Sequence, residues 1–261
     1  MKRLLFGILA VLATAGTAFA DRIDNTTYTL NGGVSGFNLV YDGTAYNGAY
    51  AVQFSFDTGN YNVDANPLHN LQVLGNQNGI IGYCIDLRNN AIEPSSYKLI
   101  DTQNAPIPDS EGGNPGVGMG AARATALSKL WYANFAASNA NSITKAAFQL
   151  AIWEVVYEDS ATLNILTDPT GDGFKVAAGV YDANQQLVIN TAQSYLNSIA
   201  TTNGQANLVA LSNVVLKNGA WVNGVGQDYV VEVPTPACIV SLLGLGGTLG
   251  MIGLMRRRRN G

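Results

Sequence analysis

Two residues stand out because their chemical types differ from those of their neighbours. Cys84 lies in the segment GIIGYCIDL and is the only cysteine before residue 238. Gln149 lies in AAFQLAIWEVVYED, where most neighbouring side chains are apolar. In an exported protein a single cysteine usually bridges to another chain, stays a reactive thiol or is masked by a second group. If the thiol and the amide belong to one site, the fold must bring them together.

The segment around Cys84 is predicted to be a β-strand. Alternation of side chains places Tyr83 and Ile85 on one face and leaves Gly82, Cys84 and Asp86 on the other. Because glycine has no side chain, a second element can approach the cysteine closely on that face.

The segment around Gln149 is predicted to be a helix over residues 144–159. Apolar residues such as Phe148 and Ile152 recur at intervals of three and four. Trp153 lies four residues after Gln149, so both side chains belong to one stripe of the helix. We therefore expect Trp153 to cover the amide.

The pattern along the chain predicts an α+β fold. Strand segments separated by Gly and Asn turns come first, helical segments follow, and strands return near the end. The expected helices are residues 120–138, residues 144–159 and a third helix that begins at Asp182, with Gln185 as a capping-box residue. We expect an antiparallel β-sandwich or barrel with a helical insertion, in one domain over residues 21–232.

The N-terminus has the features of a secretory signal peptide. Lys2 and Arg3 form a basic start, and the apolar stretch LLFGILAVLATAGT follows. Ala18 and Ala20 supply the small residues of a cleavage site. We expect residues 1–20 to be removed on export.

The C-terminus is predicted to be a transmembrane helix. Residues 237–255 form a stretch of 19 residues without a charge, and four arginines follow at 256–259. At about 1.5 Å per residue, such a helix is about 28 Å long, close to the hydrocarbon thickness of a bilayer. Arginines after the span favour the cytoplasmic side, in agreement with an exported N-terminal part.

A proline motif precedes the span and consists of Val233, Pro234, Thr235 and Pro236. The order of proline motif, apolar helix and arginine cluster over residues 233–261 resembles the PEP-CTERM sorting signal. The resemblance implies an exosortase-type processing enzyme as partner and a place in the envelope or on the outer surface of a Gram-negative-type cell, with at least transient anchoring in the inner membrane. Thr235 stands where that family usually carries glutamate. The alternative is an ordinary single-pass anchor whose arginines follow the positive-inside rule.

The charge balance argues against one class of partner. Six of the 14 basic residues lie in the two terminal segments, so residues 21–232 carry eight basic and 18 acidic residues, a formal charge of −10. An acidic surface repels phosphate backbones, and we therefore expect no nucleic-acid partner.

The segments that contain Cys84 and Gln149 carry a second family resemblance. YCIDL, followed after a helical stretch by FQLAIWE, resembles the Cys-Gln thioester domains of bacterial surface adhesins. By that resemblance Cys84 is the thiol, Gln149 is the acyl donor, and Tyr83, Ala151 and Trp153 line the pair in a surface cleft. One departure is a phenylalanine before the glutamine, where those adhesins typically carry threonine.

The resemblance implies a protein that attaches covalently to its surroundings. Attack of the Cys84 thiolate on the Gln149 carboxamide expels ammonia and leaves a thioester. Holding the two groups in contact can supply about 7–11 kcal/mol of the barrier. A surface amine or hydroxyl then takes the acyl group, and the protein reacts once without turnover. The chain shows no P-loop, dinucleotide fingerprint, paired-histidine motif or G-x-S-x-G, so we expect no enzyme, cofactor or metal.

The alternative is a non-covalent structural or binding protein of the extracellular or exopolysaccharide matrix. Cys84 is then a small buried hydrophobe, and Gln149 forms hydrogen bonds to the backbone of the sheet.

Deletion of residues 237–261 should move the exported protein from the membrane fraction to the soluble fraction, because it removes the predicted span and the arginines after it. Fractionation followed by immunoblotting measures the change. A truncated protein that stays with the membranes would place the anchor elsewhere in the chain.

Overall fold

The computed structural model describes residues 22–62, 78–106, 118–158, 162–168 and 173–233. The strands in these ranges are β1 (Arg22–Tyr41), β2 (Thr44–Asp57), β3 (Tyr61–Asn62), β4 (Ile80–Cys84), β5 (Ser95–Asp101), β6 (Phe174–Val176), β7 (Leu208–Lys217), β8 (Ala220–Asn223) and β9 (Tyr229–Glu232). The helices are α1 (Gly120–Ser138), α2 (Ser142–Tyr157) and α3 (Ala183–Ser198). Short 3-10 turns cover Thr102–Asn104 and Ile199–Thr201. The predicted mixture of strands and helices is confirmed.

The nine described strands form one sheet in which the paired strands are antiparallel. The hydrogen-bonded order is β2-β4-β9-β7-β5-β1-β3, and the long strand β1 also pairs with β2. The pairings therefore run from β1 through five other strands and return to β1. Strand β6 pairs with the end of β1, and β8 extends β7 as a hairpin.

Among the described elements, the helices α1, α2 and α3 lie between β5 and β7 in the chain, and the short strand β6 lies between α2 and α3. The predicted N-terminus of α3 is confirmed. Gln185 N–H donates to Asp182 Oδ1 at 2.8 Å, and Asp182 N–H donates to Gln185 Oε1 at 3.0 Å. This capping box satisfies backbone donors that the first turn of a helix leaves without partners.

Helix α2 is buried on all sides. Every side chain from Ala146 to Tyr157 is buried. The helix packs against α1 and α3 and against β1, β2 and β4. A helix that is apolar around its whole circumference needs such a position in the interior. The burial of α2 places Gln149 at the sheet, next to the end of β4.

The predicted signal peptide, residues 1–20, and most of the predicted tail lie outside the described residues. Pro234, Thr235 and Pro236 and the expected span at 237–255 fall in that part. Val233 is described: it is buried, and its N–H donates to the carbonyl oxygen of Asn207 at 2.8 Å. Among the described helices, none has the length and apolar character needed to cross a membrane.

Replacement of Gly82 by alanine should lower the free energy of unfolding by about 1–3 kcal/mol, because overpacking a filled core forces neighbours apart. A Cβ at this position would lie 2.7 Å from Phe56 Cε2 and 2.9 Å from Val231 Cγ1. Gly179→Ala is the matched control, because among the described residues beyond its chain neighbours the nearest atom to a Cβ there is Tyr181 Cε2, at 3.8 Å. Urea unfolding measures both, and equal stability of the two variants would contradict the close packing on this face of β4.

Candidate functional site

The side-chain amide of Gln149 forms two hydrogen bonds with the backbone of Cys84. Cys84 N–H donates to Gln149 Oε1 at 2.9 Å, and Gln149 Nε2 donates to the carbonyl oxygen of Cys84 at 2.8 Å. The two residues are 65 positions apart in the chain. They are 1% and 0% exposed. The fold thus brings together the two residues that the sequence singled out, and it does so in the interior and not in an open cleft.

The position of β2 explains why an amide is needed here. On one side, β4 pairs with β9 as far as Cys84 and Tyr229. On the other side, the pairing of β4 with β2 ends at Gly82 and Phe54. The N–H and C=O of Cys84 therefore have no strand partner on the β2 side. A buried backbone group without a partner is costly, and Gln149 supplies both a donor and an acceptor.

The backbone after Cys84 is held by further side chains. The Tyr157 hydroxyl donates to the carbonyl oxygen of Ile85 at 2.8 Å and accepts from Leu87 N–H at 3.0 Å. Gln227 Nε2 donates to the carbonyl oxygen of Asp86 at 3.1 Å. Tyr157 was not among the predicted site residues, although it lies two helical turns after Gln149, at a spacing that keeps both on one side of α2.

The sulfur of Cys84 lies in a tight turn with Asp86. The thiol donates to the carbonyl oxygen of Asp86 at 3.0 Å, and the sulfur accepts from Asp86 N–H at 3.2 Å. Burial raises the pKa of Cys84 well above its usual range, and the Asp86 carboxylate raises it further. The thiol is therefore protonated at neutral pH and is shielded from reagents in solution.

Trp153 lies between the pair and a surface pocket. Its side chain is 4% exposed and lines the pocket. Its indole N–H is buried and has no hydrogen-bond partner among the residues that the structure describes. The indole nevertheless lies close enough to Cys84 to favour the anionic form of the thiol and to oppose the rise of its pKa.

Tyr83 and Ala151 were also expected to line the pair. Ala151 is buried on α2. Tyr83 faces the helices, with its ring 5.7 Å from Trp131 and 5.0 Å from Phe148 between centroids. Burial raises the pKa of Tyr83 to about 12. Successive side chains of a strand point to opposite faces, so the side chains of Tyr83 and Cys84 lie on opposite faces of β4.

Glu154 is a second buried polar residue of α2. Its Oε1 atom accepts from Asn164 N–H at 2.6 Å. Burial raises the pKa of Glu154 to about 8, the Asn164 bond lowers it, and Glu158 and Asp168 raise it. Over the part of the chain that the structure describes, no group of three or more His, Cys, Asp or Glu residues has an arrangement that suits a metal ion.

Comparison with protein-family models, with curated proteins and with solved structures found no match for this chain.

Replacement of Tyr157 by phenylalanine should destabilise the protein by more than about 2 kcal/mol, because two buried backbone groups lose their partner. Those groups are the carbonyl of Ile85 and the N–H of Leu87. Tyr132→Phe is the matched control, since Tyr132 is 64% exposed on α1 and should change stability by less than about 0.5 kcal/mol. Urea unfolding compares the two. Equal effects would show that the tyrosine hydroxyl does not hold this segment.

Proposed function

We propose that this protein is an exported surface protein of the cell envelope that forms an internal thioester between Cys84 and Gln149. The thioester attaches the protein covalently to an amine or hydroxyl of a neighbouring surface or matrix. One observation carries the proposal: the Gln149 carboxamide is held by both backbone groups of the residue that bears the thiol.

The two hydrogen bonds prepare the carboxamide for attack. The donor to Gln149 Oε1 is the N–H of Cys84, and a donor at this atom stabilises the negative charge that develops there during attack. The sulfur attacks the side-chain carbonyl carbon of Gln149, a C–S bond forms and the C–N bond breaks. The thiol proton leaves with the nitrogen as ammonia. The Cα of Cys84 lies between the N–H and the C=O that are bonded to Gln149. Rotation about its Cα–Cβ bond therefore moves the sulfur relative to the side-chain carbonyl carbon of Gln149.

The burial of the pair protects the product. A thioester exposed to solvent is hydrolysed, and the site keeps both Cys84 and Gln149 buried, with Trp153 on the side of the pocket. Displacement of Trp153 opens the pair to an incoming nucleophile, and water is excluded until then. The reaction consumes the bond, so the protein is not a turnover catalyst.

The other parts of the proposal rest on the sequence. The basic and apolar N-terminus and the three-part C-terminus support export, an inner-membrane anchor and processing by an exosortase-type enzyme. The ring of strand pairings supports the finer assignment of the sheet as a small barrel with the helices as an insertion.

A non-covalent matrix or envelope protein is the second candidate. It is favoured by the hydrogen bonds themselves, because the thiol is paired with the backbone of Asp86 and the amide with the backbone of Cys84. Each group then has a structural partner without any covalent bond.

Mass spectrometry of the mature protein tests the proposal. Peptides that contain Cys84 and Gln149 should appear as a cross-linked pair, lighter by one ammonia than the two peptides together. Methylamine should add to Gln149 and release a thiol at Cys84. Cys84→Ala and Gln149→Ala should abolish both signals.

The matched control is Gln193→Ala, a glutamine on α3 whose side chain bonds to the backbone of Ile165. This variant should keep the cross-linked pair. Separate, unmodified peptides in freshly purified wild-type protein would contradict the thioester and favour the non-covalent candidate.

A further inference from the structure

The pocket beside Trp153 has a volume of about 600 Å³ and is called the Trp153 pocket below. Its lining residues come from β1, β2, the loop that follows β4, α2 and the segment before β9. Val52, Phe54 and Trp153 are its buried members and form the floor, whereas Tyr50 and Asn90 are exposed and form part of the rim. Its volume lies in the range of about 300–1,000 Å³ that is usual for small-molecule sites.

Five aromatic residues of the described ranges line the Trp153 pocket: Tyr28, Tyr46, Tyr50, Phe54 and Trp153. Aromatic rings offer flat apolar surface, and tyrosine adds a hydroxyl at the edge of the ring. This combination suits a ligand that has apolar C–H faces and polar edges. A sugar ring has both.

Four of the other described lining residues carry a side-chain amide: Asn47, Asn89, Asn90 and Gln227. Asn89 and Gln227 are already bonded to Asp86, at 2.7 and 3.1 Å. The side chains of Asn47 and Asn90 also line the pocket and have no hydrogen bond to the described residues. Each of these two amides offers donors and an acceptor to the hydroxyl groups of a ligand.

Within the described part of the chain, the residues that line the Trp153 pocket carry no formal charge. Charged side chains next to the lining residues already have partners: the Asp86 carboxylate accepts from the Asn89 side chain and from the N–H of Arg88. Arg88 pairs with Asp42 at 3.2 Å, and the Glu93 carboxylate accepts from the backbone N–H of Tyr28. A lysine ammonium group would meet no carboxylate on these walls, whereas a neutral polyhydroxylated ligand requires none.

We infer that the Trp153 pocket binds a neutral saccharide and that a hydroxyl of this saccharide is the acceptor in the covalent reaction. The inference rests on the thioester proposed above. The hydroxyl oxygen attacks the side-chain carbonyl carbon of Gln149, a C–O bond forms and the C–S bond breaks. The hydroxyl proton passes to the sulfur of Cys84, so the products are an ester at Gln149 and a free thiol. Trp153 has to move for this step, because it separates the pocket from the pair.

Full-length protein in detergent, applied to an array of immobilised neutral and uronic-acid oligosaccharides, tests the inference. Protein should remain on neutral spots after a denaturing wash, which removes material that is not covalently attached. Tyr50→Ala and Asn90→Ala should lower this retention at least tenfold. Tyr132→Ala, an exposed tyrosine on α1 away from the pocket, should leave it unchanged. The cross-linked peptide pair and the reaction with methylamine should be the same in all four proteins.

The outcomes separate this inference from the proposed function. Normal methylamine reaction without retention on neutral saccharides, or equal retention of wild type and both pocket variants, would overturn the inference and leave the thioester standing. Absence of the cross-linked pair would overturn the proposed function and the covalent step together. In that case, saturation-transfer NMR of the wild-type protein with the same neutral oligosaccharides tests whether the Trp153 pocket binds a saccharide. Absence of a saccharide signal would overturn that part of the inference as well.

Discussion

The structure around the candidate site depends on one requirement: the backbone of residues 84–87 must find hydrogen-bond partners where strand β2 no longer runs beside it. Pairing of β4 with β2 ends at Gly82, and the chain continues into the interior. The helix α2 meets this requirement with Gln149 and Tyr157. Buried amide groups that find no partner would cost about 1–3 kcal/mol each. The position of α2 against the sheet is therefore set by polar contacts as well as by apolar packing.

Burial has opposite consequences for the two steps of the proposed chemistry. It protects the thioester from water, and it also raises the pKa of Cys84, which makes a free thiolate expensive. Attack on Gln149 must therefore be coupled to the transfer of the thiol proton to the departing nitrogen. In the second step the thiolate is the leaving group, and the incoming nucleophile supplies the proton. With Trp153 in its present position, its indole N–H favours the anionic form of the sulfur, which helps the first step.

Local signals in the sequence predicted the elements well, because helix periodicity, capping and strand alternation act over a few residues. The capping box of Asp182 and Gln185 and the opposite faces of Tyr83 and Cys84 are examples. The burial of the pair, the contact of Tyr83 with the helices and the role of Tyr157 depend on how α2 lies across β4. That arrangement is set by contacts between distant segments, which no short pattern contains. The Trp153 pocket has the same origin, since its lining residues come from β1, β2, the loop after β4, α2 and the segment before β9.

The hydrogen bond from Gln149 Nε2 to the carbonyl oxygen of Cys84 also makes the products of the proposed reaction differ in stability between an amine and a hydroxyl acceptor. Thioester formation removes this N–H and leaves the carbonyl without its partner, at a cost of about 1–3 kcal/mol. Transfer to an amine restores an N–H on the same carbon, whereas transfer to a hydroxyl gives an ester that cannot donate. Product stability thus favours an amine, while the uncharged aromatic walls of the pocket favour a saccharide. Because a thioester lies above both products in free energy, either transfer runs downhill. The acceptor is therefore selected by which ligand is held next to the carbonyl carbon, and the pocket controls that step.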